Sequence, residues 1–171
     1  TGGVDVTITN GITAAELVTI NALTTGDITL NDTDDTLTDS TADLVSAFTG
    51  NVTAYTGAIT INDSASAAIN ATDLSDIGGE TSGVVTVSNA IVISGTQAQV
   101  TAALVTADTL VVAATATATI SDGNGTALNA SNLSAIGAKT SGAVTVSNAV
   151  VISGTQAQVT AALVTTASLV V

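Results

Sequence analysis

Two patterns of apolar and polar residues alternate along the chain. In the first, β-branched residues occupy every second position over a short run, as in residues 4–9 (VDVTIT) and 58–62 (AITIN), and this pattern predicts strands. In the second, apolar residues recur three or four positions apart, as at Leu17 and Ile20, and this spacing predicts a helix with one narrow apolar face. Since helices rather than tight hairpin turns separate the strands, the order predicts parallel pairing.

Each predicted helix begins at a residue that caps helices well. A Ser, Thr or Asn at the N-cap accepts a hydrogen bond from a free amide of the first turn, and Glu or Gln three residues later completes a capping box. The predicted caps are Thr13, Ser40, Asn70, Thr96, Asn129 and Thr155. The apolar residues that follow them are Leu17 and Ile20, Leu44 and Phe48, Leu74 and Ile77, Val100 and Leu104, Leu133 and Ile136, and Val159 and Leu163. Helices this short do not persist alone in water, so their apolar faces must pack against other parts of the chain.

One long segment occurs twice. Residues 81–112 recur as residues 140–171 at an offset of 59, and only five of the 32 aligned positions differ. The differing pairs are Val84/Ala143, Ile91/Val150, Ala107/Thr166, Asp108/Ala167 and Thr109/Ser168. The first third of the chain has the cap spacing of a diverged copy. We therefore divide the chain into repeat 1 (roughly 1–55), repeat 2 (56–112) and repeat 3 (113–171), because a fixed period of this kind is typical of stacked repeat proteins.

The predicted fold class is an α/β solenoid that occupies residues 1–171 as one domain of about six coils. Each coil is expected to contribute two short parallel strands and one short helix, over a thin core of Ala, Val, Ile and Leu side chains. Because stacked strands lie about 4.8 Å apart, six coils would rise roughly 29 Å. An all-β parallel solenoid is the alternative.

The two ends of the chain are in phase with each other. Residues 168–171 match a strand that in repeat 2 leads on into residues 115–121, and the chain starts with such a strand at residues 4–9. No polar cap of the kind that closes a solenoid is visible, and a bare sheet end invites another strand. Two interpretations follow: the sequence is a section of a longer array of repeats, or separate chains join end to end. The expected partner is the chain itself, head to tail, or continuing repeats.

Charge narrows the choice of other partners. The net charge is −13, and residues 1–80 hold 12 of the 14 carboxylates. Such a chain repels phosphate backbones, so we expect no nucleic-acid partner. Residues 140–171 carry no charge, but Ser, Thr, Asn and Gln interrupt the apolar residues and no aromatic belt or basic flank marks an interface, so we expect no membrane insertion.

The densest acidic segment is a candidate calcium site. Ca²⁺ binds several hard oxygen ligands, and Asp32, Asp34, Asp35 and Asp39 could supply them. The segment lacks the Gly and the terminal Glu of an EF-hand loop. Asp63 and Asp122 lie in equivalent turns and could form lesser sites. The alternative is a solvated acidic turn that discourages strand edges from pairing.

The residues needed for catalysis are almost absent. The chain has no His and no Cys, and Lys139 is its one basic side chain, so we expect neither a catalytic site nor an organic cofactor. Threonines spaced two apart, as at Thr7 and Thr9, could order water as in ice-binding solenoids. Ordinary outward-facing threonine on a strand is the competing explanation.

The repeat unit resembles repeats of very large secreted surface proteins of cyanobacteria and other marine bacteria. The residues that carry this resemblance are AAEL (14–17) leading to TGDI (25–28), and ISGT (152–155) leading to VTAAL (159–163). The resemblance implies a long extracellular or cell-surface protein, in some cases one that binds Ca²⁺. We therefore expect a structural protein of a filament, sheath or stalk, with a calcium-binding adhesin segment and an ice-binding solenoid as alternatives.

Overall fold

The computed structural model of the chain describes residues 2–9, 11–31, 36–53, 55–165 and 170–171. These residues form a mixed α/β fold with twelve short strands and six α-helices. The helices are α1 (Ala14–Leu23), α2 (Thr41–Phe48), α3 (Ala71–Gly79), α4 (Gln97–Leu104), α5 (Ala130–Gly137) and α6 (Gln156–Leu163). The strands are β1 (Val6–Ile8), β2 (Ile28–Leu30), β3 (Leu37–Asp39), β4 (Ile59–Ile61), β5 (Ala68–Asn70), β6 (Val85–Val87), β7 (Val92–Gly95), β8 (Val111–Val112), β9 (Thr117–Ile120), β10 (Ala127–Asn129), β11 (Val144–Val146) and β12 (Val151–Ser153). The helices rule out the all-β alternative.

All six predicted helix starts are confirmed. The N-caps are Thr13, Ser40, Asn70, Thr96, Asn129 and Thr155. The three Thr caps form complete capping boxes with Glu16, Gln99 and Gln158. The two Asn caps instead accept from the amide two residues on, the N–H of Thr72 and of Ser131, rather than from the third amide. These local bonds satisfy free amides at each helix start and so fix where the helix begins.

The strand pairs in the described part of the chain are all parallel, as predicted. The sheets are β1–β2, β3–β4–β6–β8, β5–β7–β9–β11 and β10–β12. Each strand pairs with one 22 to 26 residues away, as in Val6 with Ile28 and Ile59 with Val85. Single bridges from Ile28 to Val52 and from Val144 to Val170 continue the series.

The pairings follow one scheme in the repeats. The first strand of a repeat pairs with a strand that follows its first helix, as in β1–β2, β4–β6 and β9–β11. The strands that precede the two helices pair with each other in β5–β7 and β10–β12. The strand that precedes the second helix of a repeat also pairs with the first strand of the next repeat, as in β3–β4 and β7–β9. We call the β3–β4 and β7–β9 pairings the internal junctions.

One strand expectation is wrong. The segment between α4 and α5 holds three strands, β8, β9 and β10, where the sequence analysis expected two for each coil. The additional strand is β10, which forms because β12 pairs with it, while β8 pairs with β6 and β9 pairs with β7.

The core is one continuous cluster of Ala, Val, Ile and Leu side chains together with Phe48 and Tyr55. Strand residues alternate as expected: Ile59 and Ile61 are fully buried, while Thr60 between them is partly exposed. The helix faces point into the same cluster, with Leu44, Leu74 and Leu133 fully buried. Outward-facing threonines line up as Thr38, Thr60 and Thr86 across β3, β4 and β6, and the row ends at Val112.

A Thr-x-Gly corner follows the first helix of each repeat. The buried Thr81 hydroxyl donates to the Gly57 carbonyl at 2.7 Å and accepts from the Gly83 amide at 2.9 Å. Thr24 and Thr140 make equivalent bonds, to the carbonyls of Val4 and Ala116. The glycine is required because a Cβ on Gly83 would lie 2.3 Å from the Gly57 oxygen. Each corner thus fixes two neighbouring segments so close together that their backbones are in contact.

Candidate functional site

The proposed calcium ligands fall mainly outside the described residues. Asp32, Asp34 and Asp35 lie there, and Asp39 is the one proposed ligand among the described residues. That residue ends β3, and its Oδ1 accepts a hydrogen bond from the Ser40 amide at 2.8 Å. Among the described residues, no group of three or more His, Cys, Asp or Glu side chains could hold a metal ion.

Asp63 and Asp122, suggested as lesser calcium ligands, have a different role in the structure. Each carboxylate caps the second helix of the preceding repeat. Asp63 Oδ2 accepts from the amide of Thr41 at 2.7 Å, and Asp122 Oδ2 accepts from the amide of Gln97 at 2.6 Å. Both amides are in the first turn of a helix, where a negative charge is favourable. These aspartates therefore belong to the internal junctions.

A second contact strengthens the junction between repeats 2 and 3. The Gln97 side chain donates from Nε2 to the Asn129 carbonyl at 2.8 Å, and its Oε1 accepts from the Asn129 amide at 2.9 Å. Gln97 is only 7% exposed. One buried side chain thus satisfies both backbone groups of a residue in the following repeat.

Identical helices in repeats 2 and 3 have different environments. Both α4 and α6 have the sequence QAQVTAAL. Leu104 of α4 is 3% exposed, whereas its equivalent Leu163 in α6 is 45% exposed. Val100 is fully buried and Val159 is only partly buried. In repeat 2, α4 contacts α5, β8 and β9, which all follow it in the chain. The apolar face of α6 has the same sequence, and among the described residues no helix follows it.

The strand beside this helix differs in the same way. Ile93 of β7 is fully buried between β5 and β9, whereas the equivalent Ile152 of β12 is only partly buried. In the described residues β12 pairs on one side, with β10. Together, β12 and α6 form a surface that we call the trailing face.

The first strand and first helix form a matching open surface, the leading face. Ile8 of β1 is partly buried, while its equivalents Ile61 and Ile120 are fully buried. Ile20 of α1 is likewise partly buried, against 1% exposure for the equivalent Ile77. A shallow hollow of about 360 Å³ lies here, lined by Ile8, Gly11, Ile12, Glu16, Thr19 and Ile20. Within the described ranges β1 pairs on one side, with β2.

Glu16 lies at the edge of this hollow, and its carboxyl has a shifted pKa. Hydrogen bonds from the Thr13 backbone amide at 3.0 Å and from the Thr13 hydroxyl at 2.8 Å hold the pKa of the Glu16 carboxyl below its usual value. The bonds favour the charged form of the carboxylate. This is the capping box of α1, and it gives Glu16 a structural role.

Comparison with known proteins adds no assignment. The chain matches no protein-family model, no curated protein and no solved structure. Over the ranges that the structure describes, no helix is long and apolar enough to cross a membrane. The two open faces are therefore the best-defined candidates for a functional surface.

Local sequence patterns did not reveal the contacts between repeats. The Asp63 and Asp122 caps and the Gln97 contacts join residues 22 to 32 positions apart, beyond the range of local patterns. The buried threonine corners did have a signal in the sequence: Thr-x-Gly recurs at Thr24, Thr81 and Thr140, after the first helix of each repeat.

Proposed function

We propose that the chain is an extracellular structural repeat protein, a solenoid that forms part of a filament, sheath or stalk by joining end to end. The solenoid interpretation is supported by the regular offset of 22 to 26 residues between paired strands and by contacts between each helix and the next. Neighbouring coils in such a fold bury surfaces that one coil cannot bury alone. The role requires no reaction and no cofactor.

The observation that carries this proposal is the different burial of α4 and α6. The same eight residues place Leu104 in the core and leave Leu163 at 45% exposure. Removing such apolar surface from water is favourable. The equivalent surface on α4 is already covered inside the same chain. A surface of this sequence is therefore suited to being covered by further repeats.

Composition supports an extracellular location. The chain has no Cys, so its stability does not depend on the redox state of its surroundings. Its one basic residue, Lys139, is exposed, and proteases that cleave after Lys or Arg have no other site. The resemblance to repeats of secreted surface proteins agrees with this location.

Sedimentation velocity over a range of protein concentrations tests the proposal. We expect the sedimentation coefficient to rise with concentration and the species to grow without a fixed end point. The control is Leu163→Lys, which places a charge on the trailing face; it should leave the circular dichroism spectrum of the dilute protein unchanged and abolish growth. A single monomeric species at all concentrations would contradict end-to-end joining.

A further inference from the structure

The internal junctions supply a template for the joint between two molecules. In both, the strand that precedes the second helix of one repeat pairs in parallel with the first strand of the next. Leu37 lies opposite Ile59 in the first junction, and Ile93 lies opposite Ala118 in the second. The same strand positions therefore meet at both places, although the side chains differ. The register of this junction is a property of the repeat.

Equivalent positions on the open faces can be assigned from the sheet registers. Val6 pairs with Ile28, as Ile59 pairs with Val85 and Ala118 pairs with Val144, so Val6 occupies the position of Ile59 and Ala118. On the other side, the 59-residue offset makes Ile152 equivalent to Ile93. The two open strands are thus the two halves of one internal junction.

We propose that a second copy of this chain covers the trailing face, and that β12 of one copy pairs in parallel with β1 of the next, with Ile152 opposite Val6 and Ser153 opposite Thr7. This inference rests on the end-to-end assembly proposed above and specifies its joint. The α6 residues Val159 and Leu163 then pack into the hollow lined by Ile8, Ile12 and Ile20, as α4 contacts β9 and α5 inside the chain.

The Gln156 side chain completes the joint. The equivalent residue in repeat 2, Gln97, is buried and forms hydrogen bonds with both backbone groups of Asn129, the N-cap of the first helix of the next repeat. Gln156 is exposed. In the joint its Nε2 donates to the carbonyl of Thr13, the N-cap of the first helix in repeat 1, whose amide already donates to Glu16 Oε2.

Charge favours this arrangement over a head-to-head contact. Residues 140–171 have no charged side chain, whereas repeat 1 carries Asp5, Glu16 and Asp27 near the leading face. Two leading faces in contact would bring like charges together, which is unfavourable. A neutral trailing face against a leading face avoids that repulsion. The parallel pairing also extends in one direction without closing, which produces a filament.

Disulfide trapping tests the register directly, because the chain has no Cys of its own. Residues opposite each other on adjacent strands have Cα atoms close enough for a disulfide. The double variant Ser153→Cys with Thr7→Cys should give, on oxidation, a ladder of multimers on a non-reducing gel. Ser94→Cys with Thr119→Cys, the same pair at the internal junction, should close within one chain and give no ladder. Ser153→Cys with Thr86→Cys, an exposed residue on β6, should also give no ladder.

The results of disulfide trapping distinguish the proposed β12–β1 joint from end-to-end assembly by another contact. Fibres with a ladder only for Ser153 and Thr7 support the inference. Fibres without that ladder, or with an equal ladder for Ser153 and Thr86, overturn the joint and leave end-to-end assembly standing. Monomers alone overturn both.

A second pair of variants tests the side-chain contact. Gln97→Ala should lower the melting temperature, because it removes both hydrogen bonds between the buried Gln97 side chain and the Asn129 backbone. Gln156→Ala should leave the melting temperature of the dilute chain unchanged and raise the concentration needed for assembly about tenfold. An unchanged assembly threshold in Gln156→Ala would overturn the assigned joint.

Discussion

Three buried threonines hold neighbouring segments of the chain at backbone contact distance. Thr24, Thr81 and Thr140 are each less than one-tenth exposed. Each hydroxyl donates to a carbonyl of an earlier segment and accepts from the amide of a glycine two residues later. A buried hydroxyl that satisfies two backbone groups is costly to remove, since both groups are left without partners.

Thr81→Val tests this role. Valine keeps the shape of the side chain but removes the hydroxyl, which leaves the Gly57 carbonyl and the Gly83 amide unpaired. We expect the free energy of unfolding to fall by about 1–3 kcal/mol in urea titrations. The control is Thr86→Val on the exposed face of β6, which should change stability by no more than about 0.5 kcal/mol. Equal losses of unfolding free energy in the two variants would contradict a stabilising role for the Thr81 hydroxyl.

Glu16 makes the stability of α1 dependent on pH. Because the pKa of its carboxyl is lowered in the folded chain, its contribution is present above the pKa of the unfolded chain and is lost as the pH falls through the folded pKa. Glu16→Gln keeps a capping box like those of Gln99 and Gln158 but removes the charge. We expect the wild type to melt above Glu16→Gln at pH 7, with the difference shrinking between about pH 5 and pH 3. A difference that stays constant over that range would contradict the assignment.

The helix starts could be predicted residue by residue because capping is local. Thr13, Thr96 and Thr155 bond groups no more than three residues away, so the sequence contains the whole interaction. Asp63 shows the limit of that reasoning. An acidic residue in a turn suggested a metal ligand, but its carboxylate bonds an amide 22 residues earlier, and no local pattern marks that partner.

At the scale of elements, β5 and β10 were missed. Both read as three residues, AIN and ALN, with one buried side chain in the middle. So short a run has no alternation to detect, and these strands exist because β7 and β12 pair with them. The expectation of two strands for each coil failed between α4 and α5 because of β10, whereas β9 lies within the predicted strand at residues 115–121.

The twin helices α4 and α6 give a matched test of burial. Leu104→Ala removes a side chain that is 3% exposed, and we expect it to lower the free energy of unfolding by about 2–5 kcal/mol. Leu163→Ala removes the equivalent side chain at 45% exposure and should cost less than about 1 kcal/mol in the dilute chain. Urea titrations of both variants at a concentration below assembly would measure this. Similar losses would show that α6 is already covered.

Three features of the whole molecule favour end-to-end joining. They are parallel strands at a regular offset, a trailing face equivalent to a covered internal surface, and a leading face that matches it. The 59-residue repeat predicted from sequence provided the equivalences on which this comparison depends. The acidic segment with Asp32, Asp34 and Asp35 stays a prediction. If Ca²⁺ binds there, it acts in repeat 1.

The most direct test of the account is negative-stain electron microscopy of the purified chain at micromolar concentration, with and without EDTA. End-to-end joining predicts long uniform fibres one molecule wide, with subunits spaced roughly 29 Å apart if six coils stack at the usual strand spacing. Fibres that persist in EDTA would assign assembly to the strand joint alone, and fibres lost in EDTA would add Ca²⁺ to the mechanism. Single particles of monomer size in both conditions would contradict the central claim.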